Sequence, residues 1–208
     1  EDWGETWLLI WTTTPWTLPG NLAICAGPTI DYVAVRDKAQ GVVYVMARAR
    51  LAAIYKDEAD YEQIDSFTGD RLDGWTYAPI FPWFAETEGA FRVITGDFVT
   101  TEDGTGLVHM APAYGEDDFQ ACRAAGITAL VDPLDADCVF TSAVPDFAGQ
   151  FCKDADKAII RRLKEAGRLV HQSTIVHSYP FCDRTDTPLI YRAIDAWYVR
   201  VEDLRDRL

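Results

Sequence analysis

The 208-residue chain has the composition of one well-packed domain with a large excess of negative charge. Hydrophobic residues make up 49% of it and aromatic residues 12%, which excludes a disordered chain. The formal net charge of −14, from 33 acidic and 19 basic residues, argues against a surface for duplex DNA, because such surfaces need clustered lysine and arginine. The acidity suits a ligand that carries an ammonium group.

No targeting, membrane or metal signal stands out in the sequence. No apolar run approaches the ~20 residues that span a bilayer, and no signal-peptide pattern is present. The five cysteines include no CxxC pair, which favours reduced thiols and a cytoplasmic location. No four cysteines and histidines stand at ligand spacing, so no metal site is predicted. Because the sequence begins with Glu1 rather than Met, we expect a piece of a longer protein.

Short apolar runs bounded by Gly, Pro, Asp or Asn predict strands, and longer runs of helical spacing lie between them. The predicted strands are residues 7–12, 32–36, 42–47, 91–99 and 106–111, and the predicted helices are residues 48–56, 117–125 and 154–166. This pattern predicts an α+β, strand-rich fold in which a barrel-like mixed sheet forms the core and helices lie at the periphery. We expect one domain over residues 1–208, whose last part, from about residue 170, forms an appendage leading back to a parent domain.

Residues 11–23, WTTTPWTLPGNLA, concentrate hydroxyl groups where a predicted strand must end. Pro15 cannot donate a hydrogen bond to a sheet, and it biases Thr14 toward extended geometry. Such a turn can hold a small polar group beside an apolar wall. An ordinary strand end is the alternative, since threonine is common in strands.

Residues 104–119, GTGLVHMAPAYGEDDF, form the second concentration of reactive groups. A strand carrying His109 is followed by three acids, Glu116 to Asp118, at the start of a helix. Free amides at a helix start stabilise acids, and we expect them to depress the pKa of a carboxyl group, which then stays charged and can bind an ammonium group. Taken alone, His109 is ambiguous, because a lone histidine within an apolar strand is more often a hydrogen-bonded core residue than a ligand-binding one.

Three segments together resemble one family: WTTTPWTLPGNLAI, GTGLVHMAPAYGEDDF and HSYPFCDRTDTPLIYRAIDAWYV. They are similar to the editing insertion, called connective polypeptide 1, of isoleucyl-tRNA synthetase, a class I aminoacyl-tRNA synthetase. Valyl and leucyl editing domains usually read TTRPxT where this chain has TTTPWT, and they usually lack the histidine found here as His109. One departure is Asp183, where many isoleucyl enzymes carry tryptophan. The HIGH and KMSKS signatures are absent, so the resemblance implies no cofactor in this domain and leaves ATP to the catalytic domain of the parent protein.

The resemblance implies hydrolysis of the aminoacyl ester of valyl-tRNA(Ile), or of valyl-adenylate, inside an isoleucine–tRNA ligase. Asp118 would hold the α-ammonium, and His109 would exclude isoleucine by volume. The implied catalytic residues are Thr13, Thr14 and Asp118, and the implied substrate-binding residues are Thr12, Trp16, Thr17, His109, Tyr114 and Gly115. No nucleophile–base pair is evident, so water would attack directly, helped by positioning and oxyanion stabilisation.

The expected partners are the 3′ end of tRNA(Ile) carrying valine and the catalytic domain of the parent synthetase, with neither a membrane nor duplex DNA. Tyr114, beside Gly115, is the candidate contact for the terminal adenosine. Two alternatives stay open. The chain could be a docking module that holds the tRNA 3′ end without catalysis, or the editing domain of a valyl or leucyl synthetase.

Overall fold

The structure is a computed structural model that describes residues 3–174 and 178–207. Glu1, and His177, which is the first residue of the third segment quoted above, lie outside the described residues. The strands are β1 Thr6–Leu8, β2 Ala23–Ala26, β3 Asp31–Asp37, β4 Val43–Ala47, β5 Tyr61–Thr68, β6 Arg92–Thr95 and β7 Leu107–Met110. The α-helices are α1 Leu51–Ile54, α2 Glu116–Ala124 and α3 Asp156–Glu165. Short 3-10 helices cover Pro15–Gly20, Arg48–Arg50, Glu58–Asp60, Gly69–Leu72 and Val201–Arg207.

The strands form two mixed sheets, so the α+β, strand-rich class is confirmed, but the sheets do not close into a barrel. One sheet has the strand order β1-β4-β3-β5 and the other has β6-β2-β7. Pairs β1–β4 and β2–β6 are parallel, and the remaining pairs are antiparallel. β2 and β3 follow one another in the chain but belong to different sheets, because the tight turn at Gly27 separates them; the Ile30 N–H donates to the Gly27 carbonyl (3.1 Å).

The core lies between the two sheets, whose facing side chains pack together. It contains Ile24 from β2, Tyr32 from β3, Val45 from β4 and Leu107 from β7, all buried. A backbone hydrogen bond from the Ala47 N–H to the Thr105 carbonyl (2.8 Å) joins the end of β4 to the loop that precedes β7. This contact fixes the start of β7, which carries His109.

All five predicted strands overlap observed ones, namely β1, β3, β4, β6 and β7, although β1 and β6 are shorter than predicted. Two strands were not predicted. β2 consists of Ala, Ile and Cys buried on both faces, and β5 is a half-exposed edge strand with many polar residues, so neither shows a simple alternation. Predicted helices 117–125 and 154–166 correspond to α2 and α3, whereas 48–56 is a 3-10 turn followed by the single turn α1.

Helix α3 fixes the position of the 3-10 helix Pro15–Gly20. Its apolar face buries Ile159 and Leu163 in a cluster that also contains Trp16. Asp156, in the first turn of α3, accepts a hydrogen bond from the backbone N–H of Trp16 (2.8 Å). Burial raises the pKa of the Asp156 carboxyl to about 6, against the opposing effect of that hydrogen bond.

The last described part of the chain, residues 178–207, is here called the C-terminal strap. It holds an isolated bridge between Phe181 and Pro188 and ends in the 3-10 helix Val201–Arg207. Its role as an appendage to a parent domain stays a prediction. None of the described helices has the length and apolar character needed to cross a membrane.

Candidate functional site

A cavity of about 300 Å³ opens at the end of β7, between the threonine-rich turn and the loop that precedes β7. Thr13 and Asp118, which are far apart in the sequence, both line it. The residues of the two predicted segments that line it are Thr12, Thr13, Thr14, Thr17, His109, Tyr114 and Asp118. The fold therefore brings the two segments together.

The threonine-rich turn is held by its own hydrogen bonds. The Thr14 N–H donates to the Thr12 hydroxyl (3.0 Å), and the Thr17 hydroxyl donates to the Thr14 carbonyl (2.9 Å). Thr13 differs, because it is exposed and its hydroxyl has no hydrogen-bond partner among residues 3–174 and 178–207. Its hydroxyl is therefore available to a ligand in the cavity.

His109 is held by a buried hydrogen-bond chain that determines its tautomer. Asn21 Nδ2 donates to the Ala23 carbonyl (2.8 Å), which fixes the orientation of the amide, since a carbonyl can only accept. The same amide nitrogen lies 3.1 Å from His109 Nδ1, so Nδ1 must accept and the proton lies on Nε2. Nε2 then donates to the Thr17 hydroxyl (2.8 Å), which in turn donates to the Thr14 carbonyl.

His109 is therefore a neutral wall of the cavity. Burial lowers the pKa of its imidazole to about 4. Both ring nitrogens already have partners, so the ring offers bulk to the cavity but no free nitrogen that could act as a base. His109 is 7% exposed and fully hydrogen-bonded, as a core residue would be, and it also lines the cavity.

The expected depression of the Asp118 pKa is wrong. Asp118 Oδ2 accepts a hydrogen bond from the Ala111 N–H (2.7 Å), but the carboxyl group is half-buried at the cavity wall. Removal from water raises its pKa more than that hydrogen bond lowers it, and the adjacent charge of Asp117 raises it further. No positively charged group of the described structure is among the causes that shift this pKa. An ammonium group in the cavity would supply such a charge.

Three other predicted site residues lie around this wall. Trp16 does not line the cavity: its ring meets the Tyr114 ring at 4.8 Å between centroids, and its backbone N–H is taken by Asp156. Gly115 does not line it either, but a Cβ there would lie 2.9 Å from the Asp118 carboxyl, so glycine makes room for that group. Tyr114 lines the cavity with its ring, while its hydroxyl donates to Asp132 (2.9 Å).

The loop before β7 supplies a third wall that was not predicted. It contributes Phe98, Thr100 and Asp103, and Trp11 covers it from the other side. Gly104 lies under the Trp11 ring, where a Cβ would come within 3.0 Å of ring atoms. This wall was not predicted because residues 91–99 were expected to form one strand, whereas β6 ends at Thr95 and Phe98 lies in the loop that follows. The Thr, Asp and Gly residues of 100–106 are the signal that could have revealed the loop.

Among the described residues, no three His, Cys, Asp or Glu side chains are grouped so as to hold a metal ion. The walls of the cavity thus offer hydroxyl, carboxylate and aromatic groups. Such a set can bind an ammonium group and position a water molecule next to an ester.

Comparison with known proteins places these features in a family, although no family model matches the chain. The chain is 52% identical to the isoleucine–tRNA ligase of Bdellovibrio bacteriovorus over 98% of its own length and 20% of that protein. It is 49% identical to the cytoplasmic isoleucine–tRNA ligase of Mus musculus over 100% of its length and 17% of that protein. The chain thus spans about one fifth of the length of these curated relatives.

Solved structures agree with the observed architecture. The crystal structure of GlLeuRS-CP1 superposes with a TM-score of 0.64 at 18% identity, covering 86% of this chain and 87% of that one. The editing domain of the P. falciparum cytosolic leucyl-tRNA synthetase gives a TM-score of 0.61 at 10% identity and covers 77% of each chain. At these identities the likeness concerns the fold. Sequence and fold together show that the chain belongs to the isoleucyl-tRNA synthetase family, as a segment of about one fifth of such a protein, and that it has the fold of the leucyl-tRNA synthetase editing domains.

Proposed function

We propose that the chain hydrolyses the aminoacyl ester of valyl-tRNA(Ile), and also valyl-adenylate, as the editing site of a longer isoleucine–tRNA ligase. The observation that carries this proposal is the shared cavity, whose walls contain Thr13, Asp118 and His109. Its volume of about 300 Å³ lies at the small end of ligand pockets, as a site that must reject a larger side chain requires.

Asp118 binds the α-ammonium group of the substrate in this proposal. A half-buried carboxylate with a raised pKa has lost hydration, and an ammonium group in contact with it replaces the lost interactions. Its Oδ2 is positioned by the Ala111 N–H, so the group is oriented before the ligand arrives.

Water attacks the ester directly, and the threonine-rich turn positions it. Thr13 supplies the free hydroxyl, with Thr14 beside it on the same wall. A cysteine nucleophile is not supported, because burial raises the pKa of both the Cys25 and the Cys122 thiol to about 12. Most of the acceleration then comes from positioning and from stabilisation of the developing oxyanion.

His109 limits the size of the side chain that enters. A hydrophobic pocket gains only about 1–3 kcal/mol from one methylene group. Isoleucyl-tRNA synthetase is the standard example of this limit, and the figure comes from that general case. A second, smaller site that hydrolyses valyl esters removes the remaining errors. The neutral, doubly hydrogen-bonded ring supports a role in exclusion rather than in proton transfer.

The terminal adenosine binds at the mouth of the cavity. Tyr114 was the expected contact, but it is 8% exposed and packs edge-on against Trp16. Trp11 and Phe98 are each 41% exposed on the same cavity, so their rings are better placed for a base to stack on. Binding through one nucleoside fits a chain with a net charge of −14.

The remaining partners are proposed from the names of the relatives, which are isoleucine–tRNA ligases. The tRNA 3′ end reaches this chain from a parent synthetase whose catalytic domain uses ATP. The cytoplasmic location is supported by relatives named as cytoplasmic from Mus musculus and Caenorhabditis elegans.

The test is release of valine from valyl-tRNA(Ile) by the full-length protein that carries this chain. Asp118→Ala should lower the deacylation rate by on the order of 100-fold or more, since it removes a charged group that orients the substrate. Asp117→Ala is the matched control, because Asp117 is an exposed acid next to Asp118 that does not line the cavity. Equal rates for wild type and Asp118→Ala would show that Asp118 has another role.

The same assay separates the two alternatives. A docking module would form a complex with valyl-tRNA(Ile) and release no valine. A valyl-type editing domain would instead release threonine from threonyl-tRNA(Val) faster than valine from valyl-tRNA(Ile).

A further inference from the structure

The C-terminal strap meets the body of the domain directly behind the editing cavity. Ile190 packs against the hydrophobic core, the Tyr179 ring centroid lies 3.4 Å from Lys153 Nζ, and three consecutive residues make polar contacts. The Tyr191 hydroxyl donates to Glu116 Oε2 (3.3 Å), Arg192 pairs with Asp132, and the Ala193 N–H donates to the Ala113 carbonyl (2.8 Å). Beyond this point the strap is exposed: Ile194 is 77% exposed and Trp197 is completely exposed. Residues 191–193 are therefore an anchor.

Arg192 is the centre of this anchor. Its Nε donates to Asp132 Oδ2 (2.5 Å), Nη2 donates to the Leu134 carbonyl (2.5 Å), and Nη1 donates to the Asp135 carbonyl. The side chains of Arg192 and Asp132 are only 19% and 17% exposed. Three acceptors arranged around one guanidinium group match the planar fork of arginine, which lysine cannot reproduce.

The other oxygen of Asp132 faces the cavity wall. Asp132 Oδ1 accepts hydrogen bonds from the Tyr114 hydroxyl (2.9 Å) and from the Leu134 N–H (3.1 Å). Tyr114 lines the cavity, and Ala113, which accepts from the strap backbone, is the residue before it. A line of contacts thus runs from Arg192 through Asp132 to a wall of the site.

We propose that Arg192 is a positioning residue of the editing site, which acts by holding Asp132 and, through it, the Tyr114 side chain. This inference rests on the proposed function only for the identity of the ligand. Arg192 does not line the cavity, so its effect on the ligand must pass through Tyr114 and the loop before α2.

The test is a double-mutant cycle in the full-length protein, read by binding of a nonhydrolysable valylamide of adenosine. Arg192→Met should weaken binding about tenfold, because Asp132 loses its partner and no longer fixes Tyr114. In the Tyr114→Phe background, which lacks the hydroxyl that Asp132 holds, Arg192→Met should change binding by less than about twofold. A purely structural ion pair would give the same fold-change in both backgrounds.

Arg162→Met is the matched control, since Arg162 of α3 forms an exposed ion pair with Asp146 (3.2 Å) and does not line the cavity. It should leave binding unchanged. Asp132→Asn provides a second route to the same test if Arg192→Met does not fold, because it keeps an acceptor for Tyr114 and weakens the arginine pair. Equal affinities for Arg192→Met and Arg162→Met would overturn the proposal.

The outcomes also separate this proposal from the proposed function. A protein that binds the valylamide with the predicted coupling but releases no valine from valyl-tRNA(Ile) would support Arg192 as a positioning residue and refute hydrolysis. Release of valine with no coupling between Arg192 and Tyr114 would support hydrolysis and refute Arg192 as a positioning residue. Absence of valylamide binding by the wild type would overturn both.

Discussion

At the residue scale, burial shifts the pKa values of two ionisable groups on the cavity wall in opposite directions. Asp118 and His109 lie on the same cavity, and loss of water shifts both toward their neutral forms, so the pKa of the carboxyl is raised and the pKa of the imidazole is lowered. Hydrogen bonds then orient the groups. A positive charge on the ligand would favour the ionised form of Asp118 and so oppose the effect of burial.

The residue-scale prediction concerns the pH dependence of stability. The folded pKa of His109, about 4, lies below the ordinary value of about 6.5, so at intermediate pH the unfolded chain binds a proton that the folded chain does not. This contribution is complete above the unfolded pKa and is lost as pH falls toward 4. Between pH 7 and pH 5 the loss should be about 2 kcal/mol.

Urea unfolding at the two pH values checks this expectation. Wild type should lose about 2 kcal/mol more than His109→Gln on going from pH 7 to pH 5, because glutamine does not titrate. His171→Gln, which changes an exposed histidine, should follow the wild type. Parallel pH dependence of wild type and His109→Gln would contradict a buried, neutral His109. The difference between the two proteins is the quantity to use, since Asp156, with its raised pKa, contributes with the opposite sign in both.

At the scale of elements, close backbone contacts hold the two sheets at the distance that shapes the cavity. Gly106 begins the approach to β7 with a φ of +76°, and a Cβ there would lie 2.4 Å from the Ala47 Cβ on β4. The Tyr32 hydroxyl donates to the Gly106 carbonyl (2.5 Å) from β3. Glycine is needed here both for its conformation and for the space.

The element-scale prediction separates these two requirements. Gly106→Ala should lower the free energy of unfolding by about 1–3 kcal/mol more than Gly149→Ala, because overpacking adds to the conformational strain. Gly149 is the matched control, with a φ of +79° but no atom within 4 Å of an added Cβ. Chemical unfolding of both variants measures the difference, and equal losses would show that the sheets can move apart at no cost.

At the scale of the whole molecule, like charges dominate the surface. The chain carries 14 more acidic than basic residues. The ion pairs of the described residues include exposed ones such as Arg71 with Asp65 and Arg200 with Asp203, and exposed pairs contribute little. Self-repulsion therefore opposes the compact state.

Salt should consequently stabilise the chain. Raising ionic strength from about 10 mM to about 150 mM shortens the screening length from about 30 Å to about 8 Å. We expect the midpoint of thermal unfolding to rise by about 2–4 °C, the shift that corresponds to roughly 1 kcal/mol for a protein of this size. NaCl and KCl at equal ionic strength should give the same rise if screening is the cause. A fall in the midpoint would show that ion pairs outweigh the repulsion.

Sequence patterns predicted the fold class, and they indicated the two segments that line the cavity. The threonine-rich turn and the acidic helix start were recognisable because both depend on residues adjacent in the chain. The loop around Phe98 was missed, since its residues read as the end of a strand. Trp16 was expected on the cavity wall, but its backbone N–H donates to Asp156 of α3. No local sequence pattern reveals this contact, because the two residues are distant in the chain.

By itself the sequence determined the approximate positions of β7 and of helices α2 and α3, the acidic character of the chain and the family resemblance, because these depend on composition and on neighbours in the chain. Only the tertiary structure decided that two sheets form instead of a barrel, that Thr13 and Asp118 share one cavity, and that the pKa of Asp118 is raised. The physical reason is that desolvation and packing are set by groups distant in the sequence, whose approach follows from the fold as a whole.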